Sequence, residues 1–547
     1  MKKQLVLAMS LCGCAAVCVD AQTLHVVSDG VDYAFPSSQT GEMTYEDGES
    51  LTVMGKTFVL SDVSRMYVDD SEVVDNQVTV NYGTASASVT VAGNVAQYVS
   101  PAVTGAHVTI VQSESVSDET CGEITYTLSG SSSDGEFTLE GSYKATVELA
   151  GLTLKNLSGA ALNIQDGKRI DLSVKKGTEN TLADMASGEQ KGCIACKGHL
   201  EIKGKGTLNV YGNTAHGIHS KEYVEMKNCT LNILSAVKDG INCNQYFLME
   251  SGELNVSGVG DDGIQVSYKD DADREAEDTG AFIVDGGTIN VSVTAASSKG
   301  VKAIGNIDIN GGSVSVTTTG KESEGIESKA VLTINDGTVV VAATDDAINS
   351  ASHMYIKGGD ITVVSSGNDG LDSNGNMYIS GGVIRAFGTR APECGIDANE
   401  EDGYTVIFTG GTLLAVGGGN SVPSTSESTQ PYVSASMSVA AGNEITVKSG
   451  DTVLASFTVP SNYSSSSAGG FGGRMGFGPG GQGGPGGGGQ GGQGSTGSVL
   501  VSCAGLVSGS SYTMTCGTSS SSVTAALKGA MAEAEGHGKD VLRISSI

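Results

Sequence analysis

Tryptophan is absent from this chain, and aromatic residues make up only 5% of it. A flat glycan-stacking platform built on exposed Trp is therefore excluded, although the 17 Tyr residues can still stack. Basic residues are scarce too: 31 Lys and Arg face 61 Asp and Glu, for a formal net charge of −30. A surface of that sign repels nucleic acid, which is excluded as a partner. Past the N-terminus no apolar run is long enough to form a transmembrane segment. Runs of about ten residues with apolar positions at 3.6 spacing are missing, which excludes a helical solenoid. With 8 Pro against 79 Gly, turns fall mainly to Gly, Asn and Asp.

Residues 1–21 read as a secretory signal peptide: Lys2 and Lys3, an apolar run from Leu5 to Val19, then Val19-Asp20-Ala21 before Gln22. The alternative is a lipoprotein signal, Leu11-Cys12-Gly13-Cys14, with an anchor at Cys14. Either way the chain is expected to be secreted, extracellular, periplasmic or cell-surface associated. Three of the 11 cysteines lie in this segment. Cys193 and Cys196 form a C-x-x-C, but they fall on opposite faces of one strand and no second pair follows at zinc spacing. Cys196 and Cys243 fall on the inward face and read as buried small residues. Cys503 and Cys516 flank a hairpin-like stretch and are candidates for a disulfide in an oxidising compartment.

What the chain has in abundance is repetition. HGIHS (216–220), DGINC (239–243), DGIQV (262–266), KGVKA (299–303), EGIES (324–328), DAINS (346–350), DGLDS (369–373) and CGIDA (394–398) share a central apolar residue. Weaker copies at 159–164 and 192–196 precede them, and the centres recur about every 23 residues. A second motif interleaves, as in GGTINV (286–291), DGTVVV (336–341) and GGVIRA (381–386), with short alternating runs such as MYIK (354–357) before it. Three short Val-, Ile- and Thr-rich strands per unit predict an all-β chain, a right-handed parallel β-helix of about ten coils. The step of 37 residues between Ile264 and Val301 is explained by a charged insertion at 268–280, expected to project as a loop.

Strand parity assigns the faces. The apolar centre and the residue two further on (Cys196, Ser220, Cys243, Val266, Ala303, Ser328, Ser350, Ser373, Ala398) point inward. The residue between them points out, giving a predicted ladder of His219, Asn242, Gln265, Lys302, Glu327, Asn349, Asp372 and Asp397. Lys302 beside Glu327 reads as an ion pair across coils. Asp239, Asp261, Asp262, Glu324, Asp345, Asp346 and Asp369 precede the centres. Carboxylates stacked about 5 Å apart repel unless a cation sits among them, and oxygen-only ligands suit calcium. The alternative is a row of solvated turn residues, since Asp and Asn make good turns.

Around the predicted helix (76–420), residues 22–75 read as a separate small β module of unknown role, and 421–547 as a C-terminal β unit. The latter is interrupted by a Gly-rich tract at 468–494, expected to be a disordered loop, and a short helix is expected at 523–536. Residues 122–155 read as first coils or a cap. A lyase on this scaffold needs a base beside calcium, and a hydrolase needs two carboxylates flanking the bond. Arg385, Arg390, Lys299, Lys302, Lys321, Lys329, His216, His219 and His353 form no recognisable catalytic set.

The linked motifs EGIE (324–327), DDAIN (345–349) and DGLDSNG (369–375), with GIDANEEDGYTVIFTGGTLLAVGGG (395–419), resemble a bacterial family of secreted carbohydrate-binding β-helix proteins. That family, of the clostridial cellulose- and acidic-sugar-binding type, is related in fold to pectate lyases. The resemblance covers roughly 80–515. It implies a right-handed parallel β-helix, bound calcium and binding of plant-type polysaccharide without demonstrated cleavage. By position it implies that Glu324, Glu327, Asp345, Asp346, Asn349, Asp369, Asp372 and Asn374 hold calcium, with Asp239, Asp262 and Asp397 as weaker candidates. The chain departs from the pattern at Ala347, where Gly is usual, and at Lys299 and Lys302, which replace acids. The expected function is thus a non-catalytic, calcium-binding polysaccharide binder that recognises plant-type or acidic glycans; a lyase or hydrolase and a structural or adhesive surface protein are the alternatives. The N-terminal signal style and the 22–75 module suggest a Bacteroidetes source.

Overall fold

The computed structural model describes residues 22–185, 189–268, 274–424, 426–464 and 496–527. The expected signal peptide, the Gly-rich tract and residues 528–536 of the expected helix lie outside them; Val523 and Thr524 end a strand, Ser519–Thr524.

The chain winds into a parallel β-solenoid. One face is a thirteen-stranded sheet that carries the repeated motifs, from His216–Ser220 through Glu324–Ser328 and Leu371–Ser373 to Ile396–Ala398. Every pairing in it is parallel except that of Val99–Thr104 with His107–Gln112. The short alternating runs stack as a second face (Leu332–Ile334, Met354–Ile356, Met377–Ile379), and the second motif as a third (Thr338–Ala343, Asp360–Ser365, Val383–Phe387). The stack exceeds the ten expected coils, because Glu136–Glu140 and His107–Gln112 extend the motif face upstream of Leu162. Their sequences, EFTLE and HVTIVQ, lack the acid–Gly pair that marks later coils.

Centres stack on centres: Ile326 pairs with Ile348, Ile348 with Leu371 and Leu371 with Ile396, all fully buried. Two residues on, Ser328, Ser350 and Ser373 are equally buried. Each hydroxyl donates to turn carbonyls, as Ser350 Oγ does to Ala330 O and His353 O, both at 3.0 Å. The small inward residues therefore satisfy the turn that the chain makes toward the second face.

The motif glycine has a steric reason. A Cβ at Gly370 would lie 2.6 Å from Gly395 O and 3.0 Å from Phe387 N, both backbone atoms. At Gly325 it would meet Ala347 O and the Val341 side chain. Ala347 stands at the same position, fully buried, so one coil accommodates a methyl group there.

Both ends of the stack are covered. Residues 22–75, read from sequence as a separate module, share the sheet and the hydrophobic core of the solenoid. Val31–Pro36 pairs parallel to Ala87–Ala92, which pairs with Gln77–Tyr82 and through it with Ile124–Ser132. Val26, Phe35, Val53 and Phe58 pack in the same apolar cluster as the first coils. An open solenoid end exposes unpaired strand edges, and this segment closes one. At the other end Thr496–Ser502 pairs antiparallel to both Thr412–Gly417 and Tyr432–Ser438. Cys503 follows that strand, whereas Cys516 ends Ser511–Cys516 in a separate four-stranded sheet. Both are buried free thiols, so the expected disulfide is not formed.

Substituting Gly370→Ala should destabilise the fold by about 1–3 kcal/mol, because rigid backbone from the next coil occupies the space. Ala347→Gly should cost less than about 1 kcal/mol. Urea unfolding of the two variants checks this; equal effects would contradict the steric account.

Candidate metal centre

The acid before each centre is fixed by the coil that follows. Asp239 Oδ1 accepts from Asp262 N at 3.2 Å, Asp262 Oδ1 from Lys299 N at 2.7 Å and Asp346 Oδ1 from Asp369 N at 3.0 Å. Asp369 Oδ1 accepts from Cys394 N. All four carboxylates are buried. One oxygen of each is thus spent on the backbone, which leaves the other to face its neighbours. Asn349 Nδ2 bridges one of these to the outward Asp372, donating to Asp346 Oδ2 at 3.2 Å and Asp372 Oδ2 at 3.1 Å.

The outward ladder runs His219, Asn242, Gln265, Lys302, Glu327, Asn349, Asp372, Asp397 in the strand register. Its middle carries the positive charge. Lys299 Nζ lies 3.0 Å from Glu324 Oε1, Lys302 Nζ lies 3.6 Å from Asp262 Oδ2, and Lys329 pairs with Glu327. Lys302 thus reaches back a coil instead of forward to Glu327, which Lys329 on the same strand end already holds. Glu324 and Glu327 are neutralised by lysines, and each keeps one buried oxygen without a hydrogen-bond partner.

The eleven candidate residues therefore do not form one site. The lysine rung leaves an acidic cluster on each side, about 19 Å apart with three coils between them. Upstream, Asp239 and Asp262 join Asp261. Downstream, carboxylate oxygens of Asp369, Asp372 and Asp397 lie within 4.8 Å of one another. No basic side chain pairs with Asp346, Asp369, Asp372 or Asp397 among the described residues. Asp345 lies at the edge, its Oδ1 taking Asn368 Nδ2 at 2.9 Å, and Asn374 is exposed past the end of the strand. Glu393 also faces this cluster: burial, then the charges of Asp345 and Asp397, push its carboxyl up. It sits in the irregular loop 388–395, before the last motif, so no repeat position signals it.

The electrostatic consequence is large. Burial, and next the charge of Asp372, push Asp346 up to about 8. Burial, with Asp346, Asp372 and Asp397 nearby, pushes Asp369 up to about 8, and burial with Asp397 pushes Asp372 up to about 7. Like charges brought together out of water resist ionisation. A multivalent cation among these oxygens relieves that cost, and an all-oxygen set of carboxylates suits calcium rather than zinc or copper.

In chelator the cluster should make stability fall with rising pH. These carboxyls bind protons in the folded chain up to about pH 8 but in the unfolded chain only below about pH 4, so the folded state is favoured at low pH and loses that advantage between the two. Urea unfolding in EDTA should show a loss of more than about 1 kcal/mol between pH 5 and pH 8, and Asp372→Asn should reduce it. A flat profile would contradict the packing of these carboxyls.

The sequence profile of the family described as carbohydrate-binding domain-containing protein matches residues 104–370 and 319–470. No curated protein matches the chain. Among solved structures, a polysaccharide lyase-like protein from C. thermocellum, determined as a gadolinium derivative, is similar at 21% sequence identity and a TM-score of 0.39; the match covers 48% of this chain and 97% of that one. The profile spans more than half of the sequence, solenoid and acidic clusters included, and the chain belongs to the carbohydrate-binding domain-containing protein family.

Proposed function

We propose that this protein is a non-catalytic polysaccharide binder that holds calcium at the downstream acidic cluster and recognises acidic glycans through it. The observation that carries the reading is the convergence of Asp369, Asp372 and Asp397, with buried Asp346 behind them, free of any basic partner among the described residues. A chain of net charge −30 repels a polyuronate. Calcium coordinated partly by protein carboxylates retains open positions for ligand oxygens, and a uronate carboxylate can fill them. Attraction then replaces repulsion at one place on the surface. Secretion, or anchoring at the cell surface, gives the protein access to such polymers and to millimolar calcium.

The test is affinity electrophoresis of the mature chain in gels cast with polygalacturonate. Retardation is expected with calcium and not with EDTA, without release of unsaturated ends. Asp372→Ala should weaken retardation at least about tenfold in apparent affinity, since a first ligand is worth no less than an outer partner. Calcium-independent retardation would contradict the bridging role, and release of unsaturated ends would make the protein a lyase.

A further inference from the structure

The upstream cluster differs from the downstream one in a way that changes its chemistry. Its column is headed by an imidazole. His216 occupies the motif position that Asp239 and Asp262 occupy on the next two coils, two residues before the fully buried centres Ile218, Ile241 and Ile264. His216 is 7% exposed, and its Nδ1 has no hydrogen-bond partner. That nitrogen lies 3.3 Å from Asp239 Oδ2, misaligned for a hydrogen bond.

The surroundings fix this arrangement. Asp239 Oδ1 is taken by Asp262 N, and Asn242 Nδ2 donates to Asp239 Oδ2 at 2.7 Å. Asn242 is itself held, through its Oδ1, 3.2 Å from His219 Nδ1, and the His219 ring stacks on His216 with centroids 5.4 Å apart. His216 is thus clamped between its stacking partner and the aspartate column. Carboxylate oxygens of Asp239, Asp261 and Asp262 lie within 4.8 Å of one another. Asp239 and Asp262 are buried, while Asp261 is exposed and opens the cluster to solvent.

We propose that His216, Asp239, Asp261 and Asp262 form a second metal site, specific for a borderline divalent ion such as zinc and distinct from the oxygen-only cluster downstream. Two ligand atoms each about 2.0–2.1 Å from one tetrahedral ion are about 3.3–3.4 Å apart, the separation of His216 Nδ1 and Asp239 Oδ2. Calcium has little affinity for imidazole, whereas zinc, nickel and copper accept it readily. Asn242, on Asp239, and the ring of His219, on His216, orient the ligands from outside, as metal sites require. Lys302, 3.6 Å from Asp262 Oδ2, offsets only one of the three carboxylates. The bound ion staples three successive coils at their outer edge. The inference is independent of the calcium and glycan reading.

A tag-free chain, stripped with EDTA and exchanged into metal-free buffer, is titrated calorimetrically with zinc chloride and separately with calcium chloride. The expected result is one zinc per chain at a site that calcium does not compete for, with a higher melting temperature. Cobalt(II) at the same site should give the visible absorption of a four-coordinate complex. His216→Gln should weaken zinc binding more than about tenfold, since loss of outer-shell partners alone costs that much. The calcium-dependent shift in melting temperature should survive in this variant. Asp261→Asn, at an exposed position, should weaken zinc similarly and guards against a folding defect in the first variant. Absence of zinc binding to the parent chain, or unchanged zinc affinity in both variants, would overturn the proposal.

Discussion

Parallel stacking at about 4.8 Å per coil sets each side chain beside its counterparts on the coils above and below. Repetition of sequence therefore becomes repetition in space, column by column. Inside the coil this favours burial, because Ile, Leu and Val meet Ile, Leu and Val. Outside it sets like beside like, which is harmless for the Asn column of the third face. There Asn232 donates to Asn209 and Asn255 to Asn232, at 2.8 and 2.9 Å. For carboxylates the same rule is costly, and the chain meets it in two ways. In the middle coils it inserts Lys299 and Lys302, so the column alternates in sign. On either side it leaves the acids together.

That contrast separates structural acids from candidate ligands. Glu324 and Glu327 are matched by lysines from their own or an adjoining coil. Asp369, Asp372 and Asp397 are not, and burial together with neighbouring carboxylates suppresses the ionisation of Asp369, Asp372 and Asp346. The buried Asp of each motif does two jobs at once: one oxygen ties its coil to the next through a backbone N–H, and the other contributes charge to the outer edge. Stability and the charge offered to a cation are coupled through the same side chain, so a substitution such as Asp346→Ala tests both and separates neither.

Much of this was legible in the chain because periodicity and parity act locally. The apolar centres, the inward Ser column and the outward ladder through Asn349, Asp372 and Asp397 follow from spacing, and the register places them there. What spacing does not carry is the path of a long side chain. Lys302 bends back to Asp262, and Glu327 is taken by Lys329. Irregular segments were equally silent: Glu393 approaches the cluster from a loop outside the repeat, and residues 22–75 join the solenoid by strand pairing that has no local signature. His216 was visible as a motif residue, but its unsatisfied nitrogen against Asp239 is a fact of packing alone.

The central claim, that the downstream column without a lysine partner holds calcium and the lysine-paired rung does not, is tested most directly by anomalous diffraction from crystals grown with calcium. A peak is expected about 2.3–2.6 Å from carboxylate oxygens of Asp369, Asp372 and Asp397, with none beside Glu324 and Lys299. Three empty carboxylates splayed into solvent, or a calcium ion bound within the lysine rung, would contradict it.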